Sequence, residues 1–199
     1  RQCPPGRQTL LFSATFPDGI ERLAKQFLRN PQTVTLPEQH DNGKIRQRFY
    51  EIKHDERLQA VGILLKHYRP ISTLAFCNTK QQCRDLLDVL HAQGFHALTL
   101  HGDLEQRERD QVLIQFANRS CSVLVATDVA ARGLDITQLE AVINVDVTPD
   151  PEIHTHRIGR TGRADEDGWA FSLCSPADMR RVEAIALMTG NEPEWHGLG

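Results

Sequence analysis

Residues 73–90 read TLAFCNTKQQCRDLLDVL, and this stretch decides the fold. Its first five residues form a short apolar run typical of a buried strand. From 81 to 90, apolar residues recur every three or four positions, as on one face of a helix. Strands separated by helices of this length cannot pair as hairpins, so they align in parallel with helices on both faces. The sequence therefore predicts an α/β fold with a doubly wound parallel sheet.

The same alternation continues along the rest of the chain. Thr79 with Gln82 and Asp103 with Gln106 each fit a capping box, which predicts that helices begin directly after strands. Ligands bind at such carboxyl ends of the strands in open α/β sheets. The further predicted strands are 97–100, 123–126, 141–145 and 170–174, and the further predicted helices are 104–117, 151–158 and 177–188.

Composition narrows the class of protein. The chain has 199 residues, of which 40% are apolar and 25% charged, as in an ordinary globular domain rather than a disordered or fibrous chain. The net charge of -3 means that any attraction to nucleic acid must come from a local cluster of basic residues. No stretch approaches the ~20 apolar residues that cross a bilayer, and no signal peptide is evident, so we expect a cytoplasmic protein without a membrane partner.

A polar stretch rich in turn formers divides the chain. It reads PEQHDNGK at 37–44 and is predicted to be a linker. Residues 1–36 before it are too few to form a core of their own. We therefore expect the main domain at 45–190, with 191–199 as the start of a truncated extension.

The densest chemical signal is HTHRIGRTGR at 154–163. Arg157, Arg160 and Arg163 are spaced by three, with glycines between them, and a guanidinium offers a planar pair of donors that matches phosphate oxygens. A phosphate clamp is one interpretation, and a solvated basic loop or an ion-pair cluster is the other. His154 and His156 have metal-ligand spacing, but no third ligand is near in sequence, so no metal site is predicted.

The order of several motifs identifies a resemblance. HRIGRTGR at 156–163 resembles the sixth motif of the DEAD-box RNA helicases, and four other stretches match that family in register. They are SAT at 13–15, FCNT at 76–79, HGD at 101–103 with Gln106 and Arg109, and ATDVAARGLD at 126–135.

The resemblance implies a RecA-like fold and an ATP-dependent RNA helicase or ATP hydrolase that unwinds or remodels short RNA duplexes. It implies that 1–36 is the tail end of the first RecA-like domain and 45–190 is the second, C-terminal one. In this family the phosphate loop and the acidic motif that holds Mg²⁺ belong to the first domain, so we expect them to precede Arg1. The cofactors would be ATP and Mg²⁺, and the chain alone would be inactive.

The resemblance assigns nucleotide contacts to two stretches. Arg160 and Arg163 match the arginines that stabilise charge on the γ-phosphate, whereas Gly133 and Asp135 match residues that bind ATP at its ribose. A helix cap or a surface turn is the alternative for Asp135. The residues implied in coupling the two domains or the two sites are Ser13, Thr15, Arg132, His156 and Arg157, and Arg132 could instead pair within its own domain.

The resemblance implies RNA contacts on the opposite side of the carboxyl edge of the sheet. At Thr127 and Asp128 a strand is predicted to end and a short helix to begin, which turns amides and a hydroxyl toward a phosphate. Gln106 and Arg109 share one helix face, and a solvated face is the alternative for them. Contacts of this kind bind the backbone with little sequence preference and weaken with salt. The full predicted set is Thr79, Gly102, Gln106, Arg109, Thr127 and Asp128.

The partners follow from the same resemblance. The run from 101 to 120 is similar to one bacterial branch of the family, which implies ribosomal RNA in large-subunit assembly as the target. The other partner would be the N-terminal RecA-like domain of the same protein. The rival hypothesis is a non-catalytic α/β module that binds RNA or protein, and an encoded phosphate loop upstream would favour the enzyme.

Overall fold

The structure is a computed structural model that describes residues 45–162 and 167–198, together with Leu28. The chain divides into two compact units, Arg1–His40 and Asp41–Gly199, and the strands and helices given below all lie in the second.

Strands and helices alternate throughout the described part of that unit. The strands are β1 (Ile45–Glu51), β2 (Thr73–Cys77), β3 (Ala97–Leu100), β4 (Val123–Thr127), β5 (Ala141–Asn144), β6 (Gly168–Cys174) and β7 (Trp195–His196). The helices are α1 (Arg57–Tyr68), α2 (Lys80–Ala92), α3 (Gln106–Ala117), α4 (Asp128–Ala131), α5 (Pro151–Ile158) and α6 (Met179–Thr189), with short 3-10 turns at His54–Glu56 and Pro176–Asp178.

The described strands form one sheet in the order β3-β4-β2-β5-β6-β1-β7, and every pair is parallel. Parallel neighbours bring the carboxyl ends of β4, β2 and β5 to the same edge, since Cys77 lies opposite Thr127 and Phe76 opposite Asn144. The predicted doubly wound parallel sheet is confirmed.

Both faces of the sheet are covered. Side chains of β2 alternate, so Ala75 and Cys77 pack with Leu86 of α2 in one cluster, whereas Leu74 and Phe76 pack with α3 in another. Leu86 is fully buried, and burial of one leucine side chain contributes about 1.5–3 kcal/mol. A strand that is buried on both faces reads as a continuous apolar run, which is why TLAFC was recognisable.

The start of α3 differs from the prediction. The sequence predicts a helix from residue 104 with Asp103 as its cap, but α3 begins at Gln106 and Glu105 is the N-cap. The Glu108 carboxylate accepts a hydrogen bond from the Glu105 amide at 2.8 Å. The Asp103 capping box is therefore wrong, because the Asp103 carboxylate binds Lys80 of α2 instead, at 2.7 Å. Thr79 is confirmed as the N-cap of α2, since its hydroxyl accepts from the Gln82 amide at 3.1 Å. The Gln82 side chain donates to Asp146 at 3.3 Å, so of the predicted capping box only this N-cap is confirmed.

Among the described residues, no helix combines the length and the apolar character that a membrane span requires.

Candidate functional site

Helix α5 carries the first half of the basic motif to the carboxyl edge of the sheet. Its N-terminus is fixed by Asp150, whose carboxylate accepts from the Glu152 amide at 2.9 Å, and by a proline in its first turn. The helix ends at Ile158, so Arg160 stands in the turn that follows it. Arg157 lies within the last turn of α5 and is only 1% exposed.

The Arg157 guanidinium has acceptors for all of its nitrogen atoms. It also lies over the Phe76 ring, 5.1 Å from the ring centre. These donors are all used within residues 45–162. The predicted role of Arg157 in coupling the two domains stays a prediction. The acceptors are Asp128 (Nε to Oδ1 2.7 Å, Nη2 to Oδ2 2.6 Å), Asn78 Oδ1 (3.0 Å), the Asp146 carbonyl (2.7 Å) and Asn144 Oδ1 (3.5 Å).

Asp128 and Thr127 lie where they were predicted, at the junction of β4 and α4. The Thr127 hydroxyl accepts from the Ala130 amide at 3.3 Å, which caps the short helix. The Asp128 carboxylate is held by Arg157, although 24% of its side chain remains exposed. Both side chains therefore have structural partners, and their contacts with RNA stay a prediction.

Arg160 lies against the loop that follows α4. Its Nη1 donates to the carbonyls of Leu134 at 2.6 Å and Ile136 at 3.3 Å, and its Nη2 donates to that of Ala131 at 3.4 Å. This loop turns at Gly133, where φ is +75°. Two stretches that the resemblance assigns to ATP are thus brought together although they lie about thirty positions apart in the chain.

A shallow pocket opens beside Arg160. His156 and Arg132 contribute to its wall, and both are exposed, while Arg157 and Asp128 line its inner side. Arg157 and Asp128 neutralise each other, whereas Arg132 contributes an exposed guanidinium to the pocket wall. An anionic group such as a phosphate fits this arrangement. Asp135 is exposed on the adjoining loop.

His154 and His156 do not form a metal site together. His154 is 1% exposed, stacks on Phe49 with ring centres 6.1 Å apart, and lies 3.2 Å from Gln47 Oε1. Burial, with a smaller effect of the Arg157 charge, lowers the pKa of His154 to about 4. In the described ranges 45–162 and 167–198, no three His, Cys, Asp or Glu side chains are close enough to hold a metal ion.

The other residues predicted to contact RNA lie in α3, in the loop after β3 and at the start of α2. Arg109 Nη2 donates to the Ala130 carbonyl at 3.1 Å and so ties α3 to α4, and Gln106 Nε2 donates to Asp110 at 2.8 Å. Gly102 is exposed in the loop after β3, where an added Cβ would come 3.9 Å from Cε and Nζ of Lys80, and Thr79 is the N-cap of α2. Ser13, Thr15 and Arg163 lie outside the described residues.

The sequence analysis missed a second buried arginine at the same edge. Arg57 of α1 donates to the carbonyls of Val145 and Leu173 at 2.6 and 2.9 Å, and to Asp178 at 2.7 Å. Its Nε lies 3.8 Å from the Asp146 carboxylate. Hydrogen bonds from Ser175 and Arg57 outweigh burial and lower the pKa of Asp178. Nothing in the local sequence marks Arg57, because its partners lie about ninety or more positions away.

Comparisons with known proteins agree with this geometry. Residues 55–165 match the family described as helicase conserved C-terminal domain. The chain is 46% identical to the ATP-dependent RNA helicase DbpA of Escherichia coli over 98% of its own length and 43% of that relative. It thus spans less than half the length of that relative.

Solved structures of DEAD-box proteins are also similar to this chain. The E. coli DEAD-box protein SrmB, bound to the regulator RraA, has a TM-score of 0.71 and 31% identity, over 76% of this chain and 89% of that one. Dbp5 of S. cerevisiae, bound to RNA and ADP BeF3, has a TM-score of 0.79 and 31% identity, over 98% of this chain and 52% of that one.

Proposed function

The chain belongs to the DEAD-box family as its helicase C-terminal domain, and we propose that it is the second RecA-like domain of an ATP-dependent RNA helicase. In this proposal, residues 1–36 end the first domain, 37–44 are the linker, 45–190 are the second domain and 191–199 begin an extension. The helicase unwinds or remodels short RNA duplexes in the cytoplasm.

The observation that carries the proposal is the placement of Arg160 against the loop of Gly133. Phosphoryl transfer to water builds charge on the γ-phosphate oxygens, and an arginine supplied from another domain accelerates it about 10³ to 10⁵-fold. The acceptors of Arg160 include the main-chain carbonyls of Leu134 and Ile136, and a charged phosphate oxygen is a stronger acceptor than a carbonyl. Arg160 would therefore turn from the loop to ATP when the other domain presents it.

The remaining nucleotide contacts are assigned to neighbours of Arg160. Asp135 would accept from ribose hydroxyls, and Gly133 lets the backbone approach them. Arg163 would be the second arginine at the triphosphate. His156 and Arg132, on the exposed wall of the pocket, would meet the first domain. Mg²⁺ would be held by the first domain, since the described residues offer no cluster of ligands for it.

RNA would cross the lip formed by Thr79, Gly102 and the junction of β4 and α4. Thr79 and Gly102 are exposed there, and a hydroxyl and bare backbone of this kind recognise the RNA backbone rather than bases. Binding of RNA and ATP to both domains would favour a closed arrangement, and hydrolysis would remove that preference. The proposed target is ribosomal RNA in large-subunit assembly, as the resemblance of residues 101–120 implies.

The test compares the full-length protein with the chain 1–199. The full-length protein should release phosphate from ATP when single-stranded RNA is added, and should separate a short RNA duplex. The chain 1–199 should stay at background with the same RNA, ATP and magnesium. RNA binding by the full-length protein with no ATP turnover would favour the non-catalytic module instead.

A further inference from the structure

Three charged side chains meet beside the RNA lip, outside the set assigned so far. Lys80 and Arg84 lie one turn apart on α2, and both reach the carboxylate of Asp103 in the loop after β3. Lys80 Nζ is 2.7 Å from Oδ1, and Arg84 Nη2 is 3.3 Å from Oδ2. All three side chains are about half exposed, at 50%, 50% and 52%.

The charges of this cluster do not balance. Two cations share one carboxylate, so the group keeps a net positive charge at the surface. A hydrogen bond from Lys80 holds the pKa of Asp103 below its usual range, and the Lys80, His101 and Arg84 charges act in the same direction. Asp103 is therefore ionised at neutral pH, and its ion pairs are of the exposed kind that solvent and salt weaken easily.

The cluster lies between two residues predicted to contact RNA. Lys80 directly follows Thr79 and is the first residue of α2, where the helix dipole favours an anion. On the other side lies Gly102, where an added Cβ would come 3.9 Å from both Cε and Nζ of Lys80. The lysine ammonium thus lies over bare backbone at the place where a nucleic-acid strand would pass.

We propose that Lys80 and Arg84 bind an RNA backbone phosphate, and that Asp103 is an internal anion which occupies them until the phosphate replaces it. The inference rests on the proposed function, because it names further contacts at the same RNA site. Asp103 keeps two long side chains aimed at the lip, but it also competes with the phosphate for their charge. When RNA binds, contacts with a phosphate replace the weak ion pairs that Asp103 makes with Lys80 and Arg84, and the RNA releases counterions.

The test measures binding of a fluorescein-labelled decauridine to the full-length protein across a series of salt concentrations. The double variant Lys80→Gln/Arg84→Gln should bind about ten-fold or more weakly at low salt, and its salt slope should be shallower by about 0.7, the effect of one lost phosphate contact. Asp103→Asn should bind several-fold more tightly. The control Lys66→Gln/Arg180→Gln makes the same change of charge on α1 and α6 and should match the wild type.

Two results would overturn the inference while leaving the helicase proposal intact. The double variant could bind decauridine with wild-type affinity and salt slope, or Asp103→Asn could weaken binding as the double variant does. A wild-type protein that binds no RNA and shows no RNA-stimulated ATP turnover would overturn the proposed function as well. Thermal unfolding of each variant shows that the fold is retained.

Discussion

The guanidinium of Arg157 and the carboxylate of Asp128 form a two-pronged ion pair, with N–O distances of 2.7 and 2.6 Å. The pair joins α5 to the junction of β4 and α4, and the arginine is 1% exposed. It fixes the inner side of the pocket beside Arg160 and neutralises Arg157 there, so Arg157 does not act as a free cation in the pocket.

Removing the Asp128 charge should destabilise the domain. Asp128→Asn leaves the buried Arg157 cation without its counter-ion, which costs about 2–3 kcal/mol of unfolding free energy, less than for a fully buried partner because Asp128 keeps some exposure. Urea unfolding measures the loss. The control Glu183→Gln removes an exposed carboxylate of α6 and should change little. Equal stability of both variants would show that the ion pair contributes nothing to folding.

The buried His154 should make stability depend on pH. Its pKa is about 4 in the folded chain and near its ordinary value of 6.5 when unfolded, so only the unfolded chain takes up the proton between these values. Stability should fall as pH drops from 6.5 to about 4, by up to about 3 kcal/mol. Unfolding of His154→Gln over this range should show a flatter dependence on pH. If the stability of His154→Gln depends on pH as steeply as that of the wild type, other titratable groups cause the pH dependence.

A side chain at Gly133 should strain the backbone of the loop that contacts Arg160. This residue and Gly94 both have positive φ, +75° and +84°, with nothing within 4 Å of an added Cβ. Alanine at either should therefore cost a similar amount, about 1–2 kcal/mol, through backbone strain alone. Only Gly133→Ala should also lower RNA-stimulated ATP turnover in the full-length protein. Equal ATP turnover in the two variants would show that the Gly133 loop does not contribute to the ATP site.

The fold was predictable because its signals are local. Strand β2 is apolar on both faces and α2 carries its apolar residues on one, so sequence and structure agree within about two residues there. The stretch 45–72 holds β1 and α1, and the sequence analysis assigned neither. The mixed charged and aromatic residues of β1 do not read as a buried strand.

The site was predictable only in part. The order of motifs led to Arg160 and Gly133, and the structure brings them together through contacts between distant residues. Neither Arg57 nor the binding of Asp103 to Lys80 was foreseen. Each depends on how neighbouring parallel strands place their loops, which residue spacing does not encode.

The central claim is that Arg160 stabilises charge on ATP held by the other domain. The direct measurement is single-turnover ATP hydrolysis by the full-length protein, saturated with RNA, in Arg160→Ala, with Arg180→Ala on α6 as control. We expect the Arg160 variant to stay folded and to keep its RNA binding but to hydrolyse ATP about 10³-fold or more slowly, while the control matches the wild type. Hydrolysis by Arg160→Ala within a few-fold of the wild-type rate would contradict the account.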